Sequence, residues 1–155
     1  MEEQAYDIQR INNCANSLAN ISQVRVISET DSTNAELLKN VATVGSDGKV
    51  LIAEKQHRGR GRRGRTWVTA PYKDLAMSML IHPEIPPESY PILTFHFGLA
   101  IVQALQPICG DGLKLKWPND LLLEGRKVAG ILSESLPPSH GNKGAAVIGL
   151  GLNIN

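Results

Sequence analysis

The sequence predicts an α+β fold: a mixed, mainly antiparallel sheet packed with helices. Three observations carry this. The apolar stretches are mostly of strand length, several are joined by turns short enough for hairpins, and few stretches carry a helical pattern. With 155 residues, 42% apolar and 20% charged, the chain suits one domain with a real hydrophobic core.

Taken in order, residues 7–20 form a candidate helix with Ile8, Ile11, Leu18 and Ala19 partly inward. "VRVIS" (24–28) alternates as a strand does. In "ETDSTNAELLKN", Thr33 and Glu36 have capping-box spacing, and Ala35, Leu37, Leu38 and Val41 supply an apolar stripe. After the turn "GSDGK", "VLIAE" (50–54) reads as a buried strand that runs into "HRGRGRRGR" (57–65). "LAMSMLI" (75–81) is the next strand, followed by the proline-punctuated "HPEIPPESYP". From Ile92 to Leu105 apolar residues lie nearly all round, which predicts a buried helix across the sheet with His96 as a satisfied core residue. "LKLKW" alternates, placing Leu113, Leu115 and Trp117 on one face and Lys114 and Lys116 on the other. "PND" turns the chain, "LLL" continues it, and "EGRK" is a hairpin turn before "VAGILSE". The loop "PPSHGNKG" leads to "AAVIGLGLNIN".

Charge and cysteine usage narrow the function classes. Net charge is +1, so the five arginines of residues 57–65 are a local feature on a balanced background. A general nucleic-acid binder carries a broader basic excess, and base-stacking aromatics are scarce near this loop. Cys14 and Cys109 form no CxxC pair, which fits reduced thiols in a cytoplasmic protein. No stretch is expected to approach the ~18 apolar residues of a membrane span, and "MEEQAYD" is no signal peptide.

The chemistry-bearing groups cluster at the ends of elements. Ser32, Thr33 and Asn34 open a helix, Gln56 ends a strand, the arginine loop follows it, and Lys127 starts a strand after a hairpin turn. Each one alone is a weak signal: in isolation Ser32 and Thr33 read first as ordinary caps, Lys127 as a turn lysine, and Asn119 and Asp120 as plain turn residues. "GLGLN" is only superficially a dinucleotide fingerprint, lacking the third glycine and the following helix.

The combination is more specific than its parts. "DSTN", "GRGRRGR" followed by Trp67, "KWPND", "RKVAGIL" and "GLGLNIN", in this order and at this spacing, resemble the catalytic domain of the biotin protein ligases from about Ile27 onward. The resemblance implies a fold like that of class II aminoacyl-tRNA synthetases. It also implies ATP-dependent activation of biotin to biotinyl-5′-AMP, then transfer to a lysine of a biotin carboxyl carrier protein of acetyl-CoA carboxylase. By the same resemblance, Ser32, Thr33 and Gln56 hold the ureido ring of biotin, with Asn34 beside them. Arg60, Gly61 and Arg62 belong to the loop that closes over biotin and the adenylate. Trp67 packs against adenine, Lys127 contacts the reacting carboxylate and phosphate, and Asn153 contacts the nucleotide. Arg62 and Lys127 are the candidate catalytic residues. ATP and biotin are substrates, magnesium arrives with ATP, no protein-held metal is expected, and a homodimer is compatible.

The chemistry agrees with those residue types. A carboxylate attacking the α-phosphate is already ionised, so it needs positive charge and in-line positioning rather than a general base. The mixed anhydride that forms is easily hydrolysed, which suits a glycine-rich basic loop able to close over it and exclude water.

The sequence departs from the family pattern in two places. After Trp67 it reads "VTAPYKDL", with Tyr72 and Lys73 where the family carries small turn residues. It also ends at Asn155. The expected organisation is an extension over residues 1–26 and a catalytic domain over 27–155 that lacks the C-terminal part and small β-barrel. No room remains before Tyr6 for a winged-helix DNA-binding domain. An incomplete biotin- or adenylate-binding module, and a nucleic-acid-binding protein using the arginine loop, are the competing readings.

Overall fold

The computed structural model describes residues 6–41, 47–71, 73–138 and 144–154. Tyr72, Asn155, the start of the "GSDGK" turn and most of the "PPSHGNKG" loop lie outside the described residues. Among the described residues three helices, α1 (Ile8–Asn16), α2 (Thr33–Lys39) and α3 (Pro91–Cys109), accompany seven strands. These are β1 (Gln23–Thr30), β2 (Lys49–Gln56), β3 (Asp74–Ile81), β4 (Leu113–Lys116), β5 (Asp120–Leu123), β6 (Arg126–Leu136) and β7 (Ala145–Asn153).

The strands form one sheet in the order β1-β2-β3-β7-β6-β5-β4. Among the described strands β1 and β2 pair in parallel, with α2 in the connection between them, and the other neighbours are antiparallel. The mixed, mainly antiparallel sheet is therefore present as expected. The β5–β6 hairpin turns on Glu124 and Gly125, whose φ angles of 51° and 79° give the mirror-image turn that matches strand twist.

Alternate residues of β7 enter two different cores, which defines the two faces of the sheet. Ile148 and Leu150 join Leu121, Ala129 and Ile131 beneath Leu93, Phe97, Ile101 and Leu105 of α3. Ala145 and Val147 join Leu51 and Leu80 beneath Leu37 of α2. The α2 face stays uncovered beyond Val147, and that opening holds the site described below.

Five expectations need correction. The first helix stops at Asn16, and Ile8 and Leu18 are exposed, because α1 packs against the edge strand β1 rather than across the sheet. The cap of α2 is Ser32, whose Oγ accepts from the Ala35 N–H, so Thr33 is the first helical residue. The helix α3 buries one face only: Ile92, Phe95, Leu99 and Ile108 are exposed, as is His96, whose Nδ1 lies 3.1 Å from the Ile92 carbonyl oxygen. Residues Pro91–Gly112 are also long and apolar enough to pass as a membrane span, contrary to expectation, although this helix packs on the sheet. Finally, β4 ends at Lys116, and Trp117 stands 73% exposed in the turn, touching Phe95 rather than the core.

Candidate functional site

The "GLGL" of β7 creates the floor of the site. Gly149 and Gly151 lie on the α2 face, while Leu150 and Leu152 point into the α3 core. A Cβ on Gly149 would collide with the Asn34 amide, and one on Gly151 with the Trp67 indole. Gly130 of β6 extends the same floor, with its Cβ position 3.0 Å from Trp67 Cζ3 and 3.3 Å from Lys127 Nζ. The missing side chains leave a cavity of about 520 Å³, lined among others by Ser32, Thr33, Asn34, Gln56, Trp67 and Lys127.

One end of the cavity is polar and buried. The start of α2 brings Ser32, Thr33 and Asn34 there, each no more than 4% exposed. Gln56 Oε1 accepts from the Thr33 backbone N–H at 2.8 Å and lies 3.1 Å from Thr33 Oγ1. Asn34 Nδ2 donates to the Leu132 carbonyl at 3.1 Å and to Glu134 Oε2 at 2.9 Å. Beneath them Ser78 Oγ lies 2.6 Å from Thr33 Oγ1 and 2.5 Å from Asn34 Oδ1.

The other end is basic. The arginine loop folds back on itself: Arg60 bridges to Thr66, Gly61 N–H donates to the Arg65 carbonyl, and residues 62–64 make a short 3₁₀ turn. Arg60 Nη2 meets Glu134 Oε2 at 2.9 Å, and Arg62 Nη1 donates to Asn119 Oδ1 at 3.1 Å, so the loop spans the cavity mouth. At its base His57 hydrogen-bonds Glu29 at 2.9 Å. That bond, with Lys55 nearby, holds the exposed Glu29 carboxyl below its usual range.

Lys127 reaches the cavity through a bulge. Leu121 pairs with Ala129 but Leu122 pairs with Lys127, which leaves Val128 as the extra residue. Val128 packs toward the α3 core, and Lys127 turns to the Gly130 face, where Nζ lies 2.6 Å from Asp120 Oδ1 and 5.6 Å from the Trp67 ring centroid. Strict alternation would have placed Lys127 with Ala129, in the core. Trp67 Nε1 is buried here without a hydrogen-bond partner among the described residues.

The structure thus gathers Ser32, Thr33, Asn34, Gln56, Arg60, Gly61, Arg62, Trp67 and Lys127 around one cavity. Asn153 is not brought into its lining; it lies exposed at the end of β7, opposite Asp74. Sequence reasoning missed Ser78 and Glu134, and read Asn119 as a turn residue. The signal for Ser78 was there: a lone hydroxyl at an inward position of the apolar strand "LAMSMLI".

A glycine-floored cavity with a hydrogen-bonding end and a cationic end, set on a mixed sheet, has the form of a site for a small, polar, anionic molecule. Residues 24–153 match the biotin/lipoate A/B protein ligase family, and the chain belongs to that family. It is 43% identical over 131 residues to the biotin–[acetyl-CoA-carboxylase] ligase of Paracoccus denitrificans, covering 83% of this chain and 53% of that protein. It is 40% identical over 131 residues to the bifunctional ligase/repressor BirA of Escherichia coli, covering 84% of this chain and 40% of that protein. Among solved structures, biotin protein ligase from Leishmania major in complex with biotinyl-5-AMP superposes with a TM-score of 0.70 at 28% identity, covering 85% of this chain and 57% of that one. The Aquifex aeolicus ligase in complex with biotin and ATP gives 0.66 at 30% identity, covering 87% and 53%. The chain spans about 39% to 53% of the length of its curated bacterial relatives.

Proposed function

We propose that this chain activates biotin with ATP and passes the biotinyl group to a lysine of the biotin carboxyl carrier protein of acetyl-CoA carboxylase. The observation that carries the reading is the pairing of the two ends within one cavity: Ser32, Thr33 and Gln56 at the ureido end, Arg60, Arg62 and Lys127 at the phosphate end. A biotin carboxylate oxygen attacks the α-phosphorus of ATP, the bond to the bridging oxygen breaks, and pyrophosphate leaves. The carrier lysine then attacks the acyl carbon and AMP departs.

Within that scheme Lys127 and Arg62 face the charge that develops on the α-phosphoryl oxygens and the carboxylate. Both are already oriented by neighbours, Lys127 by Asp120 and Arg62 by Asn119. Trp67, packed against Gly130 and Gly151, offers an aromatic wall for adenine. The loop across the mouth shields the mixed anhydride from water. Among the described residues no three His, Cys, Asp or Glu side chains converge on a metal position. Magnesium enters as part of the nucleotide substrate and would offset charge on the leaving pyrophosphate. We place the reaction in the cytoplasm, which suits the two free thiols.

The test is to incubate the chain with ATP, magnesium and biotin, and to detect biotinyl-5′-AMP by mass spectrometry. Addition of a carrier domain should then give a single biotinyl adduct on one lysine. An adenylate formed with lipoate but not with biotin would overturn the substrate assignment.

A further inference from the structure

At the buried end of the cavity the side-chain oxygens of Thr33, Asn34, Gln56 and Ser78 share two hydroxyl protons. Asn34 has its orientation forced, because its Nδ2 faces two acceptors, the Leu132 carbonyl and the Glu134 carboxylate. Its Oδ1 therefore faces Ser78 Oγ at 2.5 Å, and an amide oxygen can only accept. The single Ser78 proton goes to Asn34.

Ser78 Oγ also lies 2.6 Å from Thr33 Oγ1, and two bare oxygens do not rest at that distance without a proton between them. Thr33 must supply it, so the Thr33 hydroxyl donates downward to Ser78. The remaining contact, Thr33 Oγ1 to Gln56 Oε1 at 3.1 Å, is then a pair of acceptors with no proton between them. Gln56 cannot turn its amide to relieve this, since its Oε1 already accepts from the Thr33 backbone N–H.

We infer that Ser78 is a specificity-determining positioning residue: by taking the Thr33 proton it fixes Thr33 and Gln56 as a paired acceptor for one ligand N–H. Ser78 is 0% exposed and lies outside the cavity lining, so it acts through Thr33. Ser32 supplies the opposite polarity. Its Oγ accepts the Ala35 N–H at 3.4 Å, and its own proton has no acceptor among the described residues, leaving it to donate to a ligand carbonyl. The end of the cavity therefore selects a carbonyl flanked by N–H, and Ser78 sets the N–H half of that selection. The inference rests on the biotin reading above and assigns the ureido N–H as the group recognised.

The experiment compares biotin with its two cyclic carbamates, each with one ureido N–H replaced by oxygen, by calorimetric binding to wild-type and Ser78→Ala chains. In the wild type, one carbamate should bind on the order of 10²-fold more weakly than biotin, since its ring oxygen meets two acceptors. In Ser78→Ala the Thr33 proton is released to Gln56 Oε1 or to the ligand, so the pair is no longer held as two bare acceptors and that ratio should fall by roughly tenfold. A purely structural role for Ser78 would weaken both ligands alike and leave the ratio unchanged, which overturns the inference. Should Ser78→Ala fail to fold, Asn34→Ala asks the same question, because it removes the carbonyl that claims the Ser78 proton. It should lower the same ratio, and an unchanged ratio there counts equally against the inference. Biotin binding with no discrimination between the three ligands sinks the inference alone; no biotin binding by the folded wild type sinks the functional reading with it.

Discussion

Lys127 Nζ donates to Asp120 Oδ1 at 2.6 Å across the β5–β6 hairpin, and the bulge at Val128 makes this contact reachable. The pair fixes the ammonium over the Gly130 floor, beside Trp67 and within the cavity lining. Replacing Lys127 with Ala should slow biotinyl-adenylate formation by on the order of 10²–10³-fold, the usual cost of one charged transition-state contact. Biotin binding should fall much less. Single-turnover adenylate formation measured beside a biotin titration separates the two effects, and full retention of rate would return Lys127 to an ordinary turn lysine.

The arginine loop should behave as a lid. Arg62→Ala removes the tie to Asn119 and a phosphate-facing cation, so the adenylate should leak and label nearby lysines indiscriminately. Arg58→Ala should do far less, since Arg58 is largely exposed and its nearest carboxylate, Asp31, lies at 3.8 Å. Hydrogen exchange over residues 57–65 should slow when a biotinyl-adenylate analogue is added. Equal exchange in both states rules out closure.

Two glycines should divide the site into its halves. A methyl on Gly151 strikes Trp67 and should weaken adenine-nucleotide binding, reported by indole fluorescence, while biotin binding is nearly spared. A methyl on Gly149 strikes the Asn34 amide and should do the reverse. Overpacking of this kind costs about 1–3 kcal/mol, or roughly 5- to 150-fold in affinity. Equal losses of both ligands in both variants would contradict the division.

Alkaline stability should depend on Tyr6. Its hydroxyl donates to the Asp74 carbonyl at 2.9 Å, and burial, with Glu54 and Asp74 nearby, pushes the phenol above its usual value. A raised pKa on an acid means the neutral form is the one the fold favours. Its contribution is therefore present below about pH 10 and is lost as pH rises through the folded value. Tyr6→Phe should lower stability at neutral pH and flatten the decline above about pH 10 in chemical-denaturation curves. Parallel curves for the two proteins would remove Tyr6 from the account.

The sheet was legible in the sequence because "VRVIS" and "LKLKW" alternate, "VLIAE" is an apolar run of strand length, and the turns carry Pro, Gly, Asn and Asp. The helix α3 was misread because period-3.6 burial needs a polar outer face, and this helix presents Ile92, Phe95, Leu99 and Ile108 there instead. The site was legible as a set of motifs but not as a geometry. Lys127 enters it only through a one-residue bulge, and no pattern of residue types marks a bulge in advance. Ser78 and Glu134 were hidden for another reason: their roles arise from contacts with residues 44 to 100 positions away. Glu134 links the two ends, since one carboxylate oxygen accepts from both Asn34 and Arg60. Nothing local in "ILSESL" shows that.

The central claim is that one cavity holds biotin and the α-phosphate of ATP at once, in reacting positions. Biotin-dependent exchange of labelled pyrophosphate into ATP tests it most directly, because exchange requires the adenylate to form and reverse on the same protein. The account predicts exchange that needs biotin, falls by on the order of 10²-fold or more in Lys127→Ala, and is lost when Thr33 and Gln56 are both replaced by apolar residues. Exchange that proceeds equally without biotin, or none at all from a chain shown to be folded and to bind both ligands, would contradict it.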